Sequence, residues 1–497
     1  MDSQALATLM LGQTATSGFE RQVRGLIEAA EANLVRIESQ IQDLMGLRDR
    51  ERELIAALKP LVAPIRKLPA ELLGHIFLLA VDSASDWHRI QWLERVLVIS
   101  QVCGQWRRLA CGTPRLWNRP LKVNLGKAPS DTYLATTKTF FERSASLPIP
   151  ILLAGETPEA APLVKCIYGL APRWRSLSFD DSSLSKLCDL PRDALPSLES
   201  VNLCMSTEIP SESGGWHIML CLGAPRLHTV VLDVLDAQRF IMPWSQLAHL
   251  TLRAVEESPR GSVQTFLRIL AQCTNIVAAE FTGMVAWSQS VYSAPLTPLL
   301  RLEKLTVDFF CDAEERHIMP FFMPLALPAL RTLSLSAGGY SLWSSADFTQ
   351  FQRCSQNIQE LYISACSLKP TDLAPLLAES PHLVKLTLNF ALTEAGLEYL
   401  LDALQYKPGT PAVAPRLQRL YVNYDMMSKY SQEMVQKTIP SRWWSAEELD
   451  AMRVPPVVAR WEAFNIYCLR PTAHSYSAEF KLKLIQLRSE GLEVQVA

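Results

Sequence analysis

Across 497 residues the chain carries no Cys-x-x-Cys pair, only eight histidines and a formal net charge of -2, and each shortage removes a class of function. The eleven cysteines stand singly. That excludes a disulfide framework or a zinc-finger ligand set and points to reduced, buried thiols. Near-neutral charge supplies no field for nucleic acid or anionic lipid, so neither partner is expected. No apolar run approaches the roughly eighteen residues of a membrane span. Leu9-Met10-Leu11 is broken at once by Gly12 and Gln13 and lacks a basic flank, so it does not read as a secretory leader. A cytoplasmic or nuclear location is expected. The histidines have no metal-ligand spacing, Gly214-Gly215 lacks the lysine of a phosphate loop, and no Gly-x-Ser-x-Gly occurs. No catalytic residue, metal or cofactor is expected.

What is present centres on residues 64–117. Pro69 suits the start of a helix, because its missing N–H costs nothing there. Leu72, Leu73, Ile76, Phe77 and Ala80 then make one apolar stripe. A second stripe runs through Ile99, Val102, Cys103, Trp106, Leu109 and Ala110, which predicts one helix with Arg107 and Arg108 in solvent, closed by Gly112-Thr113-Pro114. A few short helices cannot bury this much apolar surface alone, so the segment needs a neighbouring domain or a partner.

The run Leu68-Pro69-x-Glu71-Leu72-Leu73-x-x-Ile76-Phe77, then Val102-Cys103-x-x-Trp106-Arg107-x-Leu109-Ala110 and Thr113-Pro114-x-Leu116-Trp117, resembles an F-box. It is most similar to the F-box proteins of mushroom-forming fungi. The resemblance covers about fifty residues. It implies docking on a Skp-type adaptor, which hangs the chain from a cullin ubiquitin ligase while the remainder selects a protein substrate. Carried onto this sequence, the adaptor contacts are Leu68, Pro69, Leu72, Leu73, Ile76, Phe77, Val102, Trp106 and Leu109. Trp106 is the expected anchor, because buried aromatics dominate interface energetics. Core packing is the competing role for each of them. One departure is the stretch from Asp82 to Val98, longer and more aromatic than usual, with Trp87 and Trp92.

On the N-terminal side, residues 1–18 read as a disordered tail and 19–59 as a coiled-coil helix. Val23, Ile27, Ala30, Leu34, Ile37, Ile41 and Leu44 alternate steps of four and three, the register passes through Arg48 and Glu51, and it recovers at Ile55 and Leu58. Either a homodimer or a helix folded back on its own chain satisfies that pattern. On the C-terminal side, 118–170 reads as a connecting segment with a strand at Leu121–Leu125, a helix at Thr132–Arg143 and a proline-rich join.

From Trp174 onward the template apolar-x-x-apolar-x-apolar recurs, from Trp174/Leu177/Phe179 through Leu305 and Leu361 to Leu417/Leu420/Val422. Nine steps span 417 − 174 = 243 positions, about 27 per step, inside the leucine-rich-repeat range. The fold class expected is therefore α/β: an N-terminal helix, a small helical module, then an irregular leucine-rich solenoid over 171–425 with a parallel sheet, its return segments helical at Val263–Gln272 and Leu397–Gln405. Loops are expected at Met205–Gly215, Phe281–Pro298 and Tyr406–Pro415. Alternation assigns one outward row from Ser178 through Tyr362 to Tyr421. On this face His249, Arg253, Lys304, Glu360, Tyr362, Lys385, Arg419 and Tyr421 are the candidate substrate contacts, the tyrosines being favoured at interface centres. Residues 426–497 are expected to form a helical cap, with helices at Trp443–Leu449, Trp461–Tyr467 and Ser477–Glu490. A leucine-rich scaffold whose helical segment is purely structural is the alternative to the ligase receptor.

Overall fold

A computed structural model describes residues 17–59, 62–82, 91–155, 157–180, 194–204, 218–219, 223–233, 240–254, 261–286, 297–310, 316–317, 319–407, 409–424, 429–444, 446–452, 456–468 and 477–496. The chain forms two compact units, Met1–Cys111 and Gly112–Ala497. The tail expected at 1–18 lies outside the described residues as far as 16, and Ser17 and Gly18 already belong to a helix.

The first unit is helical. Helix α1, Ser17–Leu58, is 42 residues long, about 63 Å at 1.5 Å per residue. After a 3-10 turn at Pro64–Lys67 come α2 (Ala70–Asp82), α3 (Gln91–Gln101) and α4 (Gly104–Cys111), which pack on one another. Leu73, Phe77, Val81, Trp92, Val96 and Ala110 form their core. The single helix expected over Ile99–Ala110 is instead two helices. The reason is local: Cys103 Sγ accepts the N–H of Trp106 at 3.5 Å and so caps a new helix where the previous one ends. Arg107, expected to be merely solvated, donates from Nε to the Ser100 carbonyl at 3.1 Å and ties the two helices together. Arg95 does the same between α3 and α2, reaching the Ala80 carbonyl at 2.8 Å. The unit boundary follows Cys111, so α5 (Pro114–Trp117) belongs to the second unit, where Trp117 lies edge-on to Phe140 at 6.2 Å and beneath the Arg143 guanidinium.

The second unit is organised by one parallel sheet whose principal path has fourteen strands in chain order. They are β1 (Leu121–Asn124), β2 (Ile149–Ala154), β3 (Trp174–Asp180), β4 (Ser200–Cys204), β5 (Thr229–Asp233), β6 (His249–Ala254) and β7 (Ala278–Ala286). The path continues as β8 (Lys304–Phe310), β9 (Thr332–Leu342), β10 (Glu360–Ser367), β11 (Lys385–Asn389), β12 (Arg419–Tyr424), β13 (Ala463–Cys468) and β14 (Glu493–Val496). Sequence order equal to spatial order is the mark of a one-dimensional stack, in which each unit rests only on its neighbours.

Register shows why the template repeats. Leu305, Leu333, Leu361, Leu386, Leu420, Phe464 and Val494 are successive partners, all facing inward and no more than 3% exposed. Full burial of each such side chain is worth about 1.5–3 kcal/mol. A second ladder runs at the strand starts: the N–H of Gln359, Val384, Gln418 and Glu462, each one residue before its strand, and of Glu493, the first residue of β14, donates to the pre-strand carbonyl of the repeat before it, at 2.7–3.0 Å. Both ladders reach the last strand. Between sheet and returns, Phe266, Phe309, Phe321, Phe322 and Phe351 form a chain of ring contacts with centroids 5.0–5.6 Å apart, the first pair stacked and the others edge-on or tilted.

The stack therefore extends beyond the expected bounds at both ends. Strands β1 and β2, assigned to a connecting segment, are its first two members. The register slips between Ile149 and Pro150, where proline has no N–H for the ladder. Residues 426–497 are not a helical cap: Trp461–Tyr467, expected as a helix, carries β13, paired in parallel with β12, and β14 follows. Of the helices expected there, Ser477–Glu490 contains one at Ala478–Ser489, whereas Trp443 and Trp444 lie between Lys429–Ser441 and Ala446–Ala451. Buried Arg442 holds that junction, donating to the carbonyls of Ala414 at 3.0 Å and Val413 at 2.6 Å with Trp461 against its guanidinium. The returns expected as helices are Val263–Gln272 and Glu394–Ala403. Of the expected loops, Met205–Gly215 lies outside the described residues. Phe281–Ala286 proves to be strand.

Candidate functional site

Two surfaces stand out, one in each unit. On α2, Leu72, Ile76 and Leu79 recur at i, i+4 and i+7 and are 54%, 41% and 57% exposed, while Leu73 and Phe77 on the opposite side are 1% and 2% exposed. The helix is apolar on both sides, and only one side is covered. The same division continues on α3, where Trp92 and Val96 are buried but Leu97 and Val98 are exposed, and it extends to exposed Val102 just after the helix.

The nine residues implied as adaptor contacts thus divide by burial. Leu73 and Phe77 are core. Leu68, Trp106 and Leu109 are half-buried, with the Trp106 ring 4.8 Å from that of Phe77 at 57°. Pro69, Leu72, Ile76 and Val102 are exposed. Trp106, expected as the anchor, therefore spends part of its surface holding the helices together. Leu79, Leu97 and Val98 were missed in the sequence; the spacing from Leu72 and Ile76 places Leu79 on their stripe. Trp87 lies outside the described residues.

The second surface is the outward face of the sheet. Thr251, Glu280, Thr306, Ser334, Tyr362, Thr387 and Tyr421 are consecutive register partners, so the row expected from alternation is one physical row. Lys304, Glu360, Lys385 and Arg419 share the row behind it, reached through Thr332, and His249 joins them through Ala278. Arg253 occupies the row ahead. All eight candidates therefore lie on one face.

Toward the C-terminal strands this face is a connected polar network. Arg419 pairs with Glu462 at 2.8 Å, and that hydrogen bond together with the carboxylate charge raises its pKa. Lys385 Nζ lies 5.5 Å from the Tyr421 ring centroid. Asn465 donates to Glu493 at 2.9 Å, with the Tyr421 hydroxyl 3.5 Å from the same carboxylate. Desolvation, then the Glu493 charge, pushes the Tyr421 phenol up. Asn389 donates to the Tyr362 hydroxyl at 3.3 Å and accepts from Asn423 at 2.8 Å. Glu462, Asn465 and Glu493 were not anticipated, because β13 and β14 were not read as strands.

Among the described residues no group of three His, Cys, Asp or Glu side chains is placed to hold a metal, and no helix is long and apolar enough to cross a membrane. Cys103, Cys111, Cys166, Cys273, Cys354 and Cys366 are free thiols. Burial pushes the thiols of Cys273 and Cys366 up to about 12.

No family model matches the chain, and no curated protein matches it. Among solved structures, the crystal structure of a TLR13–ssRNA13 complex aligns with 75% of this chain at 13% identity and a TM-score of 0.30. The alignment spans 57% of that structure's chain.

Proposed function

We propose that this protein is the substrate-recognition subunit of a Skp/cullin/F-box ubiquitin ligase, located in the cytoplasm or nucleus. The first unit docks on a Skp-type adaptor, and the leucine-rich-repeat sheet holds a protein substrate. The observation that carries the reading is the division on α2: Leu73 and Phe77 close a small core while Leu72, Ile76 and Leu79 remain in water beside it. Contiguous exposed apolar surface on so small a module marks a protein interface. The sequence resemblance assigns that interface to the adaptor.

On this reading the protein makes and breaks no bonds. It contributes proximity, holding a substrate lysine near the ligase's reactive end, where effective concentration replaces chance encounter. The mixed polar face from Lys304 to Glu493 suits a protein partner, with Tyr362 and Tyr421 as contact side chains.

The test is co-purification of the intact chain with a recombinant Skp-type adaptor, comparing wild type with Leu72→Asp and Val102→Asp. Both positions are exposed, so neither substitution enters the core, and an unchanged circular dichroism spectrum is the check that the variants fold. Stable binding by wild type and loss in both variants is the expected result. A folded wild-type chain that does not bind returns the protein to the alternative, a leucine-rich scaffold.

A further inference from the structure

Helix α1 presents a surface that the ligase reading does not use. Every residue from 24 to 59 is exposed, and twelve large apolar side chains stand in water along one helix, Leu26 to Leu58 among them. They are not scattered. The steps from Val23 to Leu58 average (58 − 23)/10 = 3.5 residues, the period that keeps one seam facing one partner helix in a left-handed supercoil. With Ile27 at a and Ala30 at d, Leu26, Leu47 and Leu54 fall at g and Met45 at e, so eleven of the twelve flank or form that seam and only Val35 does not. Eleven side chains, each about half exposed, offer on the order of 800 Å² per copy, the share one partner brings to a standard stable interface.

We propose that α1 pairs, parallel and in register, with α1 of a second copy of this chain. The two polar seam positions select the arrangement. In register, each apolar layer meets its own copy, and so do Arg48 and Glu51; the two like-charged layers are adjacent, so each Arg48 lies one step from the Glu51 of the other copy. A shift of one heptad sets Arg48 against Ile41 or Ile55 and leaves a charge on an apolar layer. Antiparallel pairing that sets Arg48 opposite Glu51 overlaps only residues 41–58 and leaves Val23 to Ile37 in water. Longer antiparallel overlaps set both charges against apolar residues, Arg48 on Leu44 and Glu51 on Ile41 in the first of them. A polar seam residue fixes register in this way at some cost in stability. In the single copy Arg48 instead turns to neighbouring Asp49, at 2.8 Å.

The inference stands whether or not the adaptor binds, and its test is separate. Light scattering on the purified full chain at micromolar concentration is expected to give twice the mass of one copy, and Leu34→Asp with Ile37→Asp to halve it while the circular dichroism of the sheet is unchanged. Ala30→Cys, at a d position in a helix without cysteine, is expected to form a covalent dimer on mild oxidation that wild type does not form. A monomeric wild type overturns the proposal. A dimer that survives the double substitution also overturns it, as does a dimer in which Ala30→Cys fails to cross-link.

Discussion

The two units answer the same problem, what to do with apolar side chains, in opposite ways. In the second, the template residues are sealed by the repeats before and after them: Leu305, Leu333 and Leu386 are 0% exposed, and the charged residues line the outward face. In the first, a comparable supply of leucine and isoleucine stays outside. Leu72 and Val102 exceed half exposure, as does Leu34 on α1. A stack completes itself because each strand brings the surface its neighbour lacks. Short helices and a lone long helix cannot, and on the proposed reading other chains supply the missing cover.

That contrast can be tested from its strongest point downwards. Leu361→Asp puts a charge into a layer sealed on both sides; it should abolish the cooperative thermal transition of the second unit, whereas Leu361→Ala should cost about 2–5 kcal/mol in a denaturant titration. In the first unit, Phe77→Ala should cost about 3–5 kcal/mol and release amide protection in α2 and α4. Leu72→Asp, one helical face away, should stay within about 0.5 kcal/mol of wild type. Equal costs for the two would erase the distinction between core and docking face.

Thiols sharpen the comparison further. Cys273 and Cys366 have their pKa raised from 9.0 to about 12 by burial. In the fold they stay protonated where the unfolded chain has ionised. Their contribution to stability is complete below about pH 9 and is lost as pH rises towards 12. At pH 8 a thiol reagent should label Cys103 and Cys111, which are half-buried, well before either of them. Labelling all four at one rate would show that the stack is open. The smallest effect belongs to Arg419→Ala: its ion pair with Glu462 is solvent-screened, and the melting temperature should not move measurably.

How much of this was legible follows from which signal each element carries. The outward row from Thr251 to Tyr421 could be read because a period of two leaves no freedom about which side chain faces out. The ends were harder for two different reasons. Three residues before the first inward side chain, where the template calls for an apolar lead, β1 has Asn118 and β2 has Pro148, so the motif is incomplete there. Trp461, Phe464 and Ile466 satisfy the template fully, but Trp461, Phe464 and Tyr467 also recur every three residues and imitate a helix. Only pairing with β12 decides between them. In the first unit, amphipathicity announced α2 but could not say which of its two apolar sides stays in water. That depended on how α3 and α4 fold back on it, and the break between those helices turns on a single sulfur cap at Cys103.

The central claim, that the uncovered side of α2 and α3 is a docking face, is tested most directly by hydrogen exchange of the full chain with and without a Skp-type adaptor. Slowed exchange confined to residues 70–82 and 91–111, with β1 to β14 unchanged, is the predicted result. Protection on the sheet instead, or none anywhere with a folded chain and adaptor in excess, would contradict it.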